Sequence, residues 1–477
     1  MNLRGPADYM SPQWLDLFSF AVSEAHRLGM ELGFHNAAGW SSSGGPWVTP
    51  ENAMQTVVVS ETNTTGGKPQ TIKLPQPATK LGYYRDIAVI AFPTPRNPQR
   101  IANWQRKTLK EQTFKSHILP DSVFVDSAAV IKTTDIVDLT DDMLPDGTLQ
   151  WTPPTGQWTV LRIGHTPTGA RNRPATAGGR GLECDKMSRK ALELYWQGGV
   201  KPILDRVRPY VGTTLIDCII DSYEVGCGNW TPGFDTEFKK RRGYNLAPFL
   251  PTLAGYYVAS GEITERFLWD FRRTIGDLIA DNYYGHFAEL CHAEGLRFSS
   301  EPYGGPFESA SVGGKMDIIM GEFWSGNQTF MYSPRLAASI AHTNGKTLVG
   351  AEAFTNSYGK WLSHPAYLKG VGDYAWTEGV NRLLFHTYTH QPWNVRPGLT
   401  MSRYGIDLNR MNTWWELSRA YMNYIARAQY LLQQGNNVAD VLLFTGESSP
   451  NDGILRPDIK ALGYMLGQSH IMASFRE

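Results

Sequence analysis

The chain has 477 residues, 42% hydrophobic and 19% charged, the composition of an ordinary globular protein with one large domain and an insertion, or with two or three smaller domains. Its 45 Lys and Arg balance 45 Asp and Glu, so no net charge draws it to nucleic acid or to an anionic membrane, and a neutral substrate fits better. No run approaches the roughly 18 consecutive apolar residues of a membrane span, and the N-terminal stretch lacks the basic start and apolar core of a signal peptide.

Residues 13–29 place Trp14, Leu15, Leu17, Phe18, Ala21, Ala25 and Leu28 at helical spacing, with Gly29 as a stop. Met30 to Asn36 (MELGFHN) follows as a buried strand that opens into a Gly- and Ser-rich loop, AGWSSSGGPW. The pattern changes over 51–190, where alternating stretches such as QTVVVSE, IAVIAF and WTVLRIG are separated by Pro, Gly, Asn and Asp clusters. This predicts an inserted antiparallel β-sandwich domain, with a tight hairpin across 146–169. The Gly-rich stretch GHTPTGARNRPATAGGRG reads as a long ordered loop of that insertion.

From 191 onward amphipathic helices alternate with short apolar strands at 213–224, 296–301, 316–322, 346–352, 380–390 and 438–446; the helices include 265–295, 334–345 and 413–435. With Met30–Asn36 this makes seven strands, one short of a (β/α)8 barrel, and the chain starts inside a helix. The expected architecture is therefore an α/β barrel of the (β/α)8 type lacking its first strand, split as 1–50 and 191–477 around the insertion at 51–190.

Four of these strands end in a glutamate: Glu224 in DSYE, Glu301 in SSEPYGG, Glu322 in MGEFW and Glu352 in GAEAF. Barrel enzymes draw their catalytic groups from the C-terminal ends of several strands. A single such glutamate could be an ion pair or a loop cap, but four in succession point to chemistry, and paired carboxylates are what glycosidic bond cleavage requires. His35 and Asn36 at the end of the second strand, and His386, His390 and Trp393 at the end of the seventh, stand where sugar hydroxyls would bind or where a histidine would simply hydrogen-bond within the barrel mouth; His26 and His292 fall in helices and read as structural. The 15 Trp, 22 Tyr and 20 Phe include many indoles beside Gly, Pro, Asn or His, and an aromatic face stacks on the apolar face of a pyranose. Cys184, Cys218, Cys227 and Cys291 are too scattered for a disulfide scaffold or a paired zinc motif and read as buried thiols. No GxGxxG after a strand, Walker sequence or HExxH is present.

The segments LGFHNAAGWSSSGGPWVTPENAMQ, GLECDKMSRKAL, IDSYEVG, FSSEPYGG, MGEFW and GAEAFT, in this order, closely resemble the bacterial α-L-rhamnosidases of glycoside hydrolase family 106, from near residue 10 to about 470. The resemblance implies a (β/α)8 catalytic domain that inverts the anomeric centre with a glutamic acid and a glutamate base, and a calcium ion helping to hold the sugar. Carried over residue by residue, Glu224 becomes the general acid and Glu322 the general base. Glu301 and Glu352 become substrate or calcium neighbours, and His35, Asn36, Trp40, Trp47 and Tyr303 sugar contacts. The resemblance assigns no residue individually to the metal. It also implies a rhamnosylated glycan or glycoside as partner and a periplasmic or extracellular full-length protein. Family members are usually longer, so the chain reads as a fragment with an incomplete barrel wall, for which poor solubility or swapped association is expected. A retaining glycosidase of the β-galactosidase sort and a carbohydrate-binding remnant without catalysis are the alternatives.

Overall fold

The first helix begins where the sequence supplies a cap. Ser11 accepts a hydrogen bond from the Trp14 amide at 3.2 Å and Pro12 occupies the first turn, where its missing N–H costs nothing. Helix α1 (Pro12–Arg27) runs to Gly29, whose φ of +66° turns the chain into β1 (Leu32–His35). The structure is a computed structural model that describes residues 7–453 apart from 41, 98, 112–117, 119–123, 327–330, 358–359 and 402–403.

After β1 the chain builds an antiparallel sheet from β2 (Gln55–Thr65), β3 (Arg85–Pro93), β4 (Val137–Asp138) and β5 (Gln157–Pro167), ordered β2-β5-β3-β4. Side-chain alternation gives this sheet two apolar faces. Val57, Ala88, Ile90, Phe92, Leu161 and Ile163 join the main core, where Phe92 meets Tyr256 edge-on at 4.9 Å. Val89, Ala91 and Val160 are covered by Ile72 and Leu149 from a separate pair of strands, Gln70–Lys73 and Thr148–Trp151. The hairpin expected across 146–169 is not formed. Thr148–Trp151 pairs with Gln70–Lys73, whereas β5 pairs with β2 and β3. Pro153 and Pro154 between them have no N–H to offer a ladder, and Trp151 instead packs edge-on against Trp158 at 5.1 Å.

The chain returns through α2 (Arg189–Gly199) to β6 (Leu215–Ile220), and then alternates: α3 (Gly261–Leu278), β7 (Arg297–Ser300), β8 (Ile318–Trp324), α4 (Tyr332–Thr343), β9 (Val349–Thr355), α5 (Pro365–Thr377), β10 (Arg382–Phe385) and α6 (Arg419–Leu432). Helix α3 continues through a π-helical stretch, Ile279–Gly285, into His286–Ala293, so the long helix read at 265–295 is present with a change of winding. Strands β1, β6, β7, β8, β9 and β10 form one parallel sheet in that order. The side chains of β6, β8 and β9 are largely buried, as expected of strands with helices packed on them, whereas those of the edge strands β1 and β10 are more open. His35 at the end of β1 and His386 just after β10 line the same cavity although they stand at opposite edges, so the sheet curls around it.

Among the described residues this sheet has six strands where seven were expected. The stretch 438–446, read as the eighth strand, is irregular with a bridge residue at Phe444, and Val438, Val441, Leu442 and Phe444 are exposed. An apolar run becomes a continuous strand only where a core takes its side chains, and those of Val438, Val441, Leu442 and Phe444 are left exposed. The chain attaches just beyond it: Asn451 bridges to Glu308, and the buried Asp452 carboxylate accepts from the Gly304 amide and from Ser309 Oγ.

Candidate active site

Parallel register decides which carboxylates meet. Glu322 in β8 lies directly opposite Glu352 in β9. Ile220 at the end of β6 lies opposite Ser300 at the end of β7, so the residues that follow, Asp221 and Glu301, come side by side. Glu224 sits in the loop after β6, because that strand ends at Ile220 and not at 224 as its sequence suggested. Asp221, Glu224, Glu301, Glu322 and Glu352 all line one cavity of about 950 Å³.

The environments of these carboxyls differ. Glu301 is buried, and burial raises its pKa far above the usual carboxylate range, helped by the nearby Asp221, Glu352 and Glu322 charges. Its Oε2 accepts the Tyr303 hydroxyl at 2.5 Å, while its Oε1 is buried with no hydrogen-bond partner. Glu352 is pushed up to about 8, by burial first and then by Asp221 and Glu322. Its Oε1 accepts Thr355 Oγ1 at 2.9 Å and stands 3.0 Å from His386 Nδ1. Burial lowers the pKa of His386, with Asp221 opposing. His35 Nδ1 stands 3.7 Å from Asp221 Oδ2. One oxygen each of Asp221, Glu301 and Glu352 lies within 4.8 Å of the others.

Glu224 and Glu322 are instead held by donors. Glu224 accepts Ser222 Oγ at 3.0 Å on Oε1 and the Trp40 indole N–H at 3.2 Å on Oε2; Glu322 Oε2 accepts the Trp324 indole N–H at 3.2 Å. Trp40 and Trp324 therefore line the cavity and fix a carboxylate at once. Opposite, Tyr404 packs edge-on against Trp324 at 6.0 Å.

The remaining sequence-predicted residues divide. His35, Trp40, Tyr303 and His386 line the cavity with the four glutamates. Asn36, Trp47, His390 and Trp393 do not. Asn36 is buried and hydrogen-bonds Ser43, while its carbonyl accepts the Tyr195 hydroxyl. Trp47 packs on Tyr195 at 6.3 Å, and His390 and Trp393 are exposed beyond the cavity. Trp324 and Tyr404 escaped the sequence reading, and so did Asp221 and Arg173. Asp221 was taken as interior to a longer strand, although it is the first polar residue after the apolar run CII. Arg173, with Pro174 and Thr176, comes from the Gly-rich stretch assigned to the insertion, yet it lines the cavity.

A parallel α/β sheet whose strand ends gather carboxylates and indoles in one cavity is the arrangement of a glycoside hydrolase. The chain belongs to glycoside hydrolase family 106, described as alpha-L-rhamnosidase, whose pattern it matches over residues 4–97 and 83–464. It is 59% identical over 460 residues to a Formosa agariphila protein that carries the provisional name beta-glucuronidase, covering 96% of this chain and 39% of that protein. It also superposes on the structure of a rhamnosidase from Novosphingobium sp. PP1Y with a TM-score of 0.82 and 29% identity, over 94% of this chain and 57% of the other. The chain thus spans well under two thirds of the length of these relatives.

Proposed function

We propose that this chain is the catalytic part of an α-L-rhamnosidase that releases terminal α-L-rhamnose from glycans or glycosides with inversion. The observation that carries the reading is that Glu224 and Glu322, on different elements, open into one aromatic-lined cavity, each fixed by an indole N–H. Glu224 protonates the departing glycosidic oxygen as the C–O bond breaks. Glu322 removes a proton from the water that attacks the anomeric carbon from the opposite face. Inversion of this kind needs about 6.5–9.5 Å between the carboxyls, against about 5–5.5 Å for a retaining pair. Trp40, Trp324 and Tyr404 offer aromatic faces to the sugar, and His35, Tyr303 and His386 meet its hydroxyls.

Calcium fits the remaining group. Asp221, Glu301 and Glu352 present hard oxygen donors close together, and Glu301 Oε1 is a buried oxygen awaiting a partner. When bound there, the ion supplies positive charge that holds sugar hydroxyls. The curled sheet is read as part of a (β/α)8 barrel bearing residues 51–190 as an inserted β-sandwich domain. A periplasmic or extracellular site of action accords with a glycan substrate, and no described helix is long and apolar enough to cross a membrane.

The name of the F. agariphila relative favours a second reading, a β-glucuronidase. The carboxylates of Asp221, Glu301, Glu322 and Glu352, gathered by the parallel sheet, disfavour an anionic sugar in the position of the released residue, because like charges repel strongly in a partly desolvated site. The test is release of p-nitrophenol from the α-L-rhamnopyranoside and the β-D-glucuronide, with the anomer of the freed sugar followed by proton NMR. Rhamnose released first as its β anomer is expected, with Glu224→Gln and Glu322→Gln each lowering kcat at least about 10²-fold. Glu224→Gln should lose less on the p-nitrophenyl substrate than on a disaccharide, whose leaving group needs the proton more. Release of the α anomer, or wild-type turnover in either variant, refutes the assignment.

A further inference from the structure

The Gly-rich stretch between β5 and α2 is built to hold one side chain at the cavity rim. Asn172 is buried, with Nδ2 donating to Ala38 O and to Gly179 O at 2.9 Å each, and its Oδ1 accepts the Gly181 amide at 2.8 Å. The next residue is Arg173, whose carbonyl accepts the Trp40 amide at 3.3 Å. The two loops approach so closely that a Cβ on Gly39, at φ +83°, would stand 2.4 Å from the Pro174 carbonyl oxygen. The Arg173 guanidinium donates to the backbone carbonyl of Glu224 at 3.2 Å.

Among the described residues that line the cavity, Arg173 is the one Arg or Lys, set against five carboxylates and two histidines. Neutralising those carboxylates does not explain its place. It is exposed at the rim, where solvent screens a charge, while the most perturbed group, Glu301, is buried. A neutral rhamnosyl ring has no group that requires a guanidinium. The contact to Glu224 fixes the side of the bond that Arg173 serves. The acid must reach the glycosidic oxygen, so a cation bonded to the acid's own carbonyl lies beside the departing sugar.

We infer that Arg173 is a specificity residue that binds the carboxylate of a uronic acid in the leaving-group position, so that the preferred substrate is rhamnose linked to an acidic sugar. The inference rests on the rhamnosidase reading with Glu224 as acid. The planar fork of a guanidinium matches a carboxylate with two parallel hydrogen bonds, which an ammonium cannot reproduce.

The test compares α-L-rhamnosyl-glucuronate with α-L-rhamnosyl-glucose in the wild type, Arg173→Ala and Arg173→Lys, together with calorimetric binding of methyl β-D-glucuronide and methyl β-D-glucoside. The ratio of kcat/KM for the uronate over the neutral disaccharide should fall about 10- to 100-fold in Arg173→Ala, with Arg173→Lys between, as expected for loss of a charge-assisted hydrogen bond. The wild type should bind the methyl uronide more tightly than the glucoside, and Arg173→Ala should remove the preference. An unchanged ratio in a variant that still turns over, or equal binding of both methyl glycosides by the wild type, overturns the inference while leaving the rhamnosidase reading intact. Absence of rhamnose release from every substrate sinks the rhamnosidase reading instead. Cleavage of a β-glucuronide would put the carboxylate on the other side of the broken bond and overturn the inference as well.

Discussion

Replacing Glu352 by Gln separates the two ways the carboxylate group can avoid self-repulsion. Two full charges 4.8 Å apart, the span within which the ligand oxygens of Asp221, Glu301 and Glu352 lie, repel by about 3.5 kcal/mol at an effective dielectric constant of about 20. Three ionised carboxylates would carry three such pairs, so without a cation the group must hold protons. Glu352, pushed up to about 8, is then mostly neutral at pH 7. Folding must protonate a carboxyl that is ionised in the unfolded chain, a cost of about 3 kcal/mol at pH 7 for a rise from 4.5 to about 8 that Gln does not carry, so in a chelated sample Glu352→Gln should be more stable than wild type by up to about 3 kcal/mol. Calcium offsets that gain, because the ion binds the ionised group and Gln supplies no charge. At calcium one hundred times the wild-type Kd, the wild type gains about 2.7 kcal/mol, and a variant whose affinity has fallen a hundredfold gains about 0.4 kcal/mol. Urea unfolding at pH 7, with calcium and with chelator, measures both differences. Equal stabilisation of wild type and variant by calcium would show that Glu352 is no ligand. A large loss in the chelated variant would show that its carboxyl is ionised and paired.

Asp217 in β6 tests the pH dependence away from the cavity. Its side chain is buried, Oδ2 accepts Ser299 Oγ at 2.7 Å, Oδ1 has no partner, and burial pushes its pKa up to about 6 from 3.8. The folded state therefore holds a proton that the unfolded state releases, and stability should fall as pH rises from about 4 to about 6; Asp217→Asn should abolish that slope and gain up to about 3 kcal/mol at pH 7. An identical slope in both proteins, by urea titration at several pH values, refutes it. Gly39→Ala places a Cβ against the Pro174 carbonyl at a left-handed φ, and should cost about 1–3 kcal/mol in thermal or urea unfolding while lowering kcat/KM through displacement of Trp40 and Arg173. Wild-type stability and turnover would show that the loop junction has slack.

The element order was legible because it rests on local periodicity. Met30–Asn36, 296–301 and 380–390 each contain a strand of the parallel sheet, 316–322 and 346–352 overlap strands that run two or three residues further, and 13–29, 334–345 and 413–435 each overlap a helix. The failures lie where pairing decides. The run at 438–446 has strand composition but leaves most of its apolar side chains exposed, and Thr148–Trp151 finds its partner seventy-odd residues earlier, not across the proline turn. Asp221 was obscured by reading β6 four residues too long. Arg173 was passed over because a loop's reach into a distant cavity depends on Asn172 and Gly39, which do not announce it in sequence.

The sequence by itself placed a glutamate in or just after each of four apolar runs; Glu224 and Glu301 follow their strands, whereas Glu322 and Glu352 lie within β8 and β9, which continue to Trp324 and Thr355. It also carried the ordered segments by which the family is recognised. Only the tertiary structure decided which of them share a site. Parallel register set Glu322 beside Glu352 and Asp221 beside Glu301, and curling of the sheet brought His35 and His386 from its two edges to one cavity. Asn36, Trp47, His390 and Trp393 stand near strand ends in sequence and outside the cavity in space. Distance along the chain fixes which strand a side chain follows, and the packing of that strand on its neighbours fixes what the side chain faces.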